Sequence, residues 1–404
     1  MEYKYISLIS ESPKNVISSQ VVEYFEILKK YDIIFDIIFF LNGRDYIDKR
    51  NNFSSIKEEI NKRTSGNVKF YPMLKKTSSL GNSIAILILY LNLLKYTNNE
   101  KIVVHSRGGS GFFAANLLSK RENVSLVMDF RGDYVSEYIF TAQQLGLSEE
   151  KTVKGLKRIK YLEKVAAQKA DHLFCVSSVL KDRLIERYHI ESNRITIIPC
   201  CADHIKFRYE SNLRLEMRKK IGIEERFIFV YAGGIGAWHY SEEMFRIVSV
   251  LMQSIDSCFM VLTPDVKEAL KLAKRTIPNE RYFIKNVPRE DVSEYLMAAD
   301  MGILLRERHP LNEVAAPTKF AEYLMAGLPV MISDHIGDYS KFVVNNDLGI
   351  VIDNSTQPDE YKIMFDEFLK RKDNLIKENI SRLGMTNFSK EKYAKILKDI
   401  YLNF

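Results

Sequence analysis

Cysteine is scarce in this 404-residue sequence, which has four cysteines and no CxxC spacing. Reduced core cysteines are therefore expected rather than a disulfide framework. The longest apolar run covers residues 84–94, whereas a membrane-spanning helix needs about 20 residues. No basic region followed by an apolar core opens the chain, and no block of like charges suggests a nucleic-acid arm. We expect a cytoplasmic protein, with 84–94 as either a buried helix or a contact with the inner face of the membrane.

Several catalytic signatures are also missing. The sequence shows no Asp-x-Asp pair in a strand-end loop, no Cys/His zinc spacing, no Walker lysine and no Gly-x-Ser-x-Gly elbow. It therefore predicts no metal and no cofactor, and a site that neutralises an anionic leaving group with backbone dipoles and Lys or Arg. The net charge of +7 suits anionic partners such as nucleotide diphosphates.

The chain reads as two α/β halves. Hydrophobic content of 46% and charged content of 27% are ordinary for a globular protein, and the length favours two domains. Short apolar segments alternate with helical patterns, which predicts parallel sheets with helices on both faces. Charge rises and apolar runs stop at 201–222, so we predict a linker there. The predicted domains are 1–205 and 223–387.

A polar pair interrupts an apolar helix in the second half. Pro317 and Thr318 predict the helix start, with Thr318 as a capping residue, and Gly327 predicts its end. Lys319 and Glu322 then lie on one helix face. A lysine at a helix N-terminus suits phosphate, and a carboxylate one turn on can accept hydrogen bonds from ribose. The alternative is a surface helix with a Lys–Glu pair.

Strand-end loops are the other candidate sites, because ligands of open parallel sheets bind outside the carboxyl ends of the strands. Gly234, Ile235 and Gly236 belong to a glycine cluster that follows a predicted strand. Glycines let the backbone approach a phosphate closely, although a tight turn would explain them as well.

In the first half, His105, Arg107 and Arg131 follow two predicted strands. The two arginines are planar donors suited to a carboxylate or phosphate. Asp129 lies beside them, so an ion pair is an equal alternative. His105 would either polarise a sugar hydroxyl or act as a buried hydrogen-bond partner.

Residues 316–330 read Ala-Pro-Thr-Lys-Phe-Ala-Glu-Tyr-Leu-Met-Ala-Gly-Leu-Pro-Val. This segment resembles the donor-site signature of the GT-B-fold, family-4-like glycosyltransferases of bacterial polysaccharide biosynthesis. The similarity extends to the glycine loop at 231–240, to His-Ser-Arg at 105–107 and to Asp-Phe-Arg-Gly at 129–132. It implies two Rossmann-like, doubly wound domains facing across a cleft, with the last helix, 388–404, packing back on the first domain.

The resemblance also implies a function. It indicates a hexosyl- or acetamidohexosyl-type transferase (EC 2.4 class) that moves a sugar, with retention, from a nucleotide diphosphate sugar to a hydroxyl of a glycan or lipid-linked glycan. The diphosphate would be held by Thr318, Lys319 and residues 234–236, and the ribose by Glu322. His105, Arg107 and Arg131 would face the reacting sugar and the acceptor. A nucleotide-sugar 2-epimerase of the same fold and a catalytically silent binding module are the alternatives.

The same resemblance assigns the loop of Asn286 and Val287 to the nucleobase. This chain departs from the family pattern at two points. The Arg and Lys that follow the glycine loop in many members are not evident, and either Arg306 substitutes for them or Lys319 carries most of that charge. Many members of the family also carry two glutamates in this region. In this chain Val314 occupies the position of the first of them, and Glu313 lies one residue before that position.

Trp238 and His239 flank the glycine loop. They are predicted either to pack on the donor or to pack within the fold.

Overall fold

A computed structural model describes residues 3–13, 17–73, 79–93, 100–108, 118–236, 240–278 and 281–404. The chain divides into two compact units: unit 1, Met1–Pro199 with Tyr393–Phe404, and unit 2, Cys200–Lys392. The sequence pattern of residues 112–118 predicts a helix, and of these residues only Leu118 lies within the described part of the chain.

Unit 1 contains one sheet of seven parallel strands. Its order is β3-β2-β1-β4-β5-β6-β7. The strands are β1 (Tyr3–Ile9), β2 (Phe35–Asn42), β3 (Val68–Met73), β4 (Lys101–Arg107), β5 (Val124–Phe130), β6 (His172–Cys175) and β7 (Ile195–Ile197). The central strands are buried along nearly their whole length, as expected when helices cover both faces of a parallel sheet.

The described helices of unit 1 surround this sheet. A π-helical turn at Ser18–Val22 leads into the first of them. They are α1 (Glu23–Leu28), α2 (Gly43–Lys49), α3 (Phe53–Thr64), α4 (Ser79–Leu93), α5 (Tyr134–Gln144), α6 (Glu149–Lys169) and α7 (Ser178–Tyr188).

Unit 2 contains a sheet of six parallel strands in the order β10-β9-β8-β11-β12-β13. The strands are β8 (Phe227–Ala232), β9 (Ser257–Leu262), β10 (Tyr282–Lys285), β11 (Met301–Leu304), β12 (Val330–Ser333) and β13 (Gly349–Ile352). The prediction of an α/β fold with two Rossmann-like sheets is confirmed.

The helices of unit 2 that the structure describes follow the same alternation. They are α8 (Ser211–Lys220), α9 (Ser241–Leu251), α10 (Val266–Thr276), α11 (Val292–Ala298), α12 (Pro310–Glu313), α13 (Thr318–Met325), α14 (Tyr339–Asn345), α15 (Pro358–Arg371) and α16 (Lys377–Phe388). The last helix, α17 (Lys390–Leu402), belongs to unit 1 from Tyr393 onwards.

The segment predicted as a linker, 201–222, is largely structured. Helix α8 lies within it, and Arg214 and Arg218 of that helix make ion pairs with Asp300 at 2.6 and 3.1 Å. Part of the high charge that suggested a linker therefore belongs to arginines that pair with Asp300. The segment is therefore part of unit 2.

Both sheets reverse their strand order at one point. In unit 1 the reversal separates β1 from β4, and in unit 2 it separates β8 from β11. Loops diverge to opposite sides at such a point and leave a crevice for a ligand at the carboxyl ends of the strands. The candidate residues of both units lie at these strand ends.

Candidate active site

The glycine loop follows β8, the strand at the reversal point of unit 2. Gly233 has φ of +146°, a conformation that side chains rarely adopt. The Tyr231 hydroxyl donates to the Gly234 carbonyl at 2.7 Å, and the Ile235 amide donates to Asp265 Oδ2 at 2.8 Å. The loop is therefore held from both sides. Trp238 and His239 lie outside the described residues.

Helix α13 begins at Thr318, with Pro317 as N-cap residue and no side-chain cap. The prediction that Thr318 caps the helix is therefore wrong, because Thr318 already has helical geometry. The helix ends as predicted at Gly327, which has φ of +76°. The Leu328 amide donates to the Tyr323 carbonyl at 2.9 Å, which satisfies one of the last free carbonyls of the helix.

Packing fixes α13 against the sheet. The buried Tyr323 hydroxyl accepts the Ala232 amide of β8 at 3.0 Å. Its ring occupies the space beside Gly302, where a Cβ atom would come within 2.4 Å. Behind it, Phe320 stacks on Tyr339 with ring centroids 4.2 Å apart. The start of α13 is therefore held beside the end of β8.

Lys319 points from the first turn of α13 to the glycine loop. Its Nζ atom is buried and has no hydrogen-bond partner among the described residues. It lies 4.0 Å from the ring centroid of Tyr231, and 2.8 Å from the point where a Cβ at Gly233 would lie. Burial, with Arg306 adding to it, places the pKa of Lys319 well below its ordinary value. A buried cation without a hydrogen-bond acceptor is costly, which makes this group a candidate for binding an anion.

Arg306 follows β11 at the same edge of the sheet. Its Nη1 donates to Asn312 Oδ1 at 3.2 Å, and its amide donates to Ser333 Oγ at 3.0 Å. Burial lowers the pKa of its guanidinium. The structure thus brings Arg306 and Lys319, which the sequence predicts to share the diphosphate, to one strand-end site.

Glu322 lies one turn beyond Lys319, and 13% of its side chain is exposed. Arg289 Nη2 approaches Glu322 Oε1 to 3.8 Å. Arg289 belongs to the loop after β10 that also contains the exposed Asn286 and the half-buried Val287. The structure therefore connects the predicted ribose and nucleobase residues through an arginine that the sequence analysis did not single out. The sequence offered one signal for Arg289, which is its position in the predicted nucleobase loop, three residues after Asn286.

Glu313 is not in an open loop. It ends the short helix α12, and its carbonyl accepts the Gly337 amide at 3.1 Å.

In unit 1, the predicted residues surround one carboxylate. Arg107 and Asp129 are paired in the register of β4 and β5, at the carboxyl ends of the two strands. Asp129 Oδ2 lies 3.5 Å from Arg107 Nη1 and 3.6 Å from His105 Nε2, and its Oδ1 lies 3.4 Å from Arg131 Nη1. These contacts match the alternative in which Asp129 forms ion pairs with the two arginines.

The electrostatics of this group follow from its charges. Burial raises the pKa of the Asp129 carboxyl, but Arg131, His105 and Arg107 together hold it well below its usual range. Asp129 is therefore ionised at neutral pH, and it compensates the two guanidinium groups in a place with little solvent.

Both nitrogens of His105 have neighbours within unit 1. Its Nδ1 shares a hydrogen bond of 2.5 Å with the Tyr401 hydroxyl, and its Nε2 faces Asp129. Tyr401, in the last helix, is fully buried and packs edge-on against Phe35 and Phe174. The sequence analysis missed Tyr401, since nothing in the local pattern of α17 distinguishes it from a core tyrosine.

Two family profiles match the chain. The profile described as Glycosyltransferase Family 4 covers residues 62–205, and the one described as Glycosyl transferases group 1 covers residues 214–382. The first falls on unit 1 with its paired charges, and the second contains the glycine loop and α13. The chain is a family-4-like GT-B glycosyltransferase. The resemblance predicted from residues 316–330 is thereby confirmed.

Solved structures of this glycosyltransferase fold superpose on the whole chain. HepE from Anabaena, in complex with UDP and glucose, matches with a TM-score of 0.70 and 13% identity, over 99% of this chain and 100% of that chain. A glycosyltransferase from Rickettsia africae matches with a TM-score of 0.70 and 14% identity, over 99% and 98%. Sucrose-phosphate synthase from Thermosynechococcus elongatus gives 0.69 and 13%, over 99% and 98%. No curated protein sequence matches the glycosyltransferase significantly.

Two features are absent from the part of the chain that the structure describes. The described residues contain no group of three or more His, Cys, Asp or Glu side chains arranged to hold a metal ion. No helix in this part of the glycosyltransferase is both long and apolar enough to cross a bilayer.

Proposed function

We propose that this glycosyltransferase moves a sugar from a nucleoside diphosphate sugar to an acceptor hydroxyl, with retention of anomeric configuration. The observation that carries the proposal is Lys319, a buried ammonium without a hydrogen-bond partner among the described residues, aimed at a glycine loop. Diphosphate oxygens would supply the missing acceptors. Negative charge grows on the leaving diphosphate in the transition state, so a fixed cation there favours the transfer.

Each element of the unit 2 site has a part in this proposal. Lys319 and Thr318 at the start of α13, with the backbone of 234–236, bind the diphosphate, and Arg306 adds a second positive charge. Glu322 accepts hydrogen bonds from the ribose, while Arg289 orients its carboxylate. Asn286 and Val287 lie on the side of the nucleobase, and the exposed backbone of their loop is suited to reading the edge of the base.

The residues of unit 1 have the second part in the proposal. His105, Arg107 and Arg131 act on the transferred sugar and the acceptor. Because Asp129 pairs with both guanidinium groups, it fixes their position at the carboxyl ends of β4 and β5. The acceptor is a glycan or lipid-linked glycan of bacterial polysaccharide biosynthesis, on the strength of the family resemblance.

The donor test is a thermal-shift screen with uridine, guanosine, adenosine and cytidine diphosphates. UDP is the first candidate, because Anabaena HepE was crystallised with UDP-glucose. A ligand at 100 times its dissociation constant stabilises the fold by about 2.7 kcal/mol. We expect one diphosphate to shift the melting temperature, and Lys319→Ala and Glu322→Ala to lose most of that shift at the same ligand concentration.

Lys341→Ala is the matched control, because Lys341 is an exposed lysine of α14 in the same unit. It should keep the full shift. No response to any of the four diphosphates would contradict the proposal.

The reaction test distinguishes the three activities that fit this site. A transferase releases nucleoside diphosphate from the sugar donor faster when an acceptor glycan is present. A 2-epimerase converts the donor without any acceptor, and a silent module binds the donor without turnover. We also propose that the transfer needs no metal, so EDTA should leave its rate unchanged, and a loss restored by Mg²⁺ or Mn²⁺ would contradict this.

We further propose that helix α4 contacts the inner face of the membrane. Ile84, Leu87, Tyr90 and Leu91 on this helix are each at least 40% exposed, and their spacing places them along one side. Liposome flotation should show binding that Leu87→Gln and Leu91→Gln abolish. Ile363→Gln, on an equally exposed isoleucine of α15 in unit 2, is the control. No flotation with anionic vesicles would remove the idea.

A further inference from the structure

Tyr231 touches both parts of the candidate diphosphate site. It is the penultimate residue of β8 and is 1% exposed. Its hydroxyl donates to the Gly234 carbonyl at 2.7 Å, and its ring centroid lies 4.0 Å from Lys319 Nζ. One side chain therefore contacts the glycine loop and the lysine that faces it.

The Tyr231 ring lies within cation–π distance of this buried ammonium. A cation over a tyrosine face is attracted by the ring quadrupole, more strongly when water is excluded. From the loop after β11, Arg306 repels the ammonium, and from the same helix Glu322 attracts it. With no hydrogen-bond acceptor for Nζ among the described residues, the Tyr231 face is placed to fix the position of this flexible side chain.

We infer that Tyr231 is a positioning residue that holds the Lys319 ammonium against the glycine loop before the donor binds. The inference rests on the proposed function, since it concerns the same diphosphate site. A lysine held in place loses little conformational freedom when the ligand arrives, and this improves affinity without any new contact to the ligand.

The test is isothermal titration of the whole chain with UDP, the probe, at one pH and salt concentration. Tyr231→Phe keeps the ring and removes only the bond to Gly234, so we expect affinity within about threefold of the wild type. Tyr231→Leu removes the ring, and affinity should fall roughly tenfold or more. Should the leucine variant not fold, Tyr231→Met provides an unbranched apolar replacement with the same expectation.

A double-mutant cycle separates positioning from a general structural effect. In the Lys319→Ala background there is no ammonium to hold, so Tyr231→Leu should change UDP affinity by no more than about twofold. Equal losses in both backgrounds would mean that Tyr231 shapes the fold rather than the lysine, and would overturn the inference.

Phe365→Leu is the matched control. Phe365 is a fully buried aromatic residue of the same hydrophobic core, and it packs on Phe229 of β8 with ring centroids 5.3 Å apart. It should lower stability like Tyr231→Leu but leave UDP affinity unchanged.

The two failures are distinguishable. If the wild type binds UDP and Tyr231→Leu binds it equally well, the inference alone fails. If the wild type binds none of the four diphosphates, the proposed function fails and the inference fails with it.

Discussion

The cations of the two units differ in what they contact. In unit 1, Arg107 and Arg131 share the carboxylate of Asp129, and Arg107 also donates to Glu11 at 3.1 Å. In unit 2, Lys319 has no hydrogen-bond acceptor among the described residues. A compensated network avoids the cost of an unpaired buried charge, whereas an uncompensated cation destabilises its unit until an anion binds. The cations of unit 1 are therefore balanced within the fold, and that of unit 2 is left for a ligand.

Removing the shared carboxylate should produce the largest effect. Asp129→Ala leaves two guanidinium groups uncompensated in a buried place, so we expect unit 1 to lose about 3–5 kcal/mol of unfolding free energy. Calorimetry that resolves the unfolding of unit 1 measures this loss. Asp171→Ala, at an exposed aspartate of the same unit whose carboxylate accepts the Leu126 amide at 2.7 Å, should cost much less. A loss below about 1 kcal/mol for Asp129→Ala would show that the network does not stabilise unit 1.

Replacing the uncompensated cation should have the opposite effect on stability. Lys319→Met removes a buried charge, so unit 2 should gain about 1 kcal/mol, while UDP affinity falls roughly 10- to 100-fold. Urea unfolding and titration with UDP measure the two quantities. A variant that is less stable than the wild type would show that Lys319 is compensated in the free protein, which would contradict the comparison.

A second buried lysine of unit 2, Lys377, extends the comparison, because it should make the free energy of unfolding depend on pH. Lys377 Nζ donates to the carbonyls of Ala299 and Gly327 at 3.1 and 3.4 Å, and burial lowers its pKa from 10.5 to about 7. Between these values the unfolded chain holds a proton that the folded chain lacks, so stability rises with pH.

The expected rise is at most about 1.4 kcal/mol per pH unit between pH 7 and pH 10.5. Well below pH 7 the group is protonated in both states, so its destabilising effect is constant there and adds no pH dependence. Urea unfolding at pH 7 and pH 9 measures the rise. Lys377→Met should remove the difference. If stability fell with pH in the wild type and not in this variant, the lowered pKa would be wrong.

The smallest effect belongs to a single hydrogen bond of unit 1. Tyr401→Phe removes the donor or acceptor that His105 Nδ1 contacts, which should cost about 1 kcal/mol. Denaturant unfolding measures the loss, and UDP affinity should stay unchanged because unit 2 keeps its site. Tyr161→Phe, at an exposed tyrosine of α6, is the control.

Local patterns predicted most of the strands and the position of the candidate site. The alternation of strands and helices gave both sheets, and the spacing within 316–330 gave α13 with its end at Gly327. The start of α13 was wrong in detail, because Pro317 and Thr318 are both compatible with the N-cap and the first turn. The linker at 201–222 was wrong because a charged helix was taken for an unstructured segment.

Contacts between distant residues were beyond local patterns. His105 and Tyr401 are separated by 296 positions, and Tyr231 reaches Lys319 only once α13 lies beside β8. An aromatic residue in an apolar strand looks like an ordinary core residue whichever group its face covers. Which cations are compensated therefore depends on the folded structure.

Tyr401 is translated after the whole of unit 2, and this order affects how unit 1 folds during synthesis on the ribosome. Residues 1–199 emerge first, but the aromatic side chains around His105 receive Tyr401 only after the whole of unit 2 has been translated. At about 5–20 residues per second this delay is on the order of 10–40 s. During that time Tyr401 does not yet fill its place among the aromatic side chains around His105, and unit 2 can fold first. A chain that stops before residue 393 would therefore lack a part of unit 1.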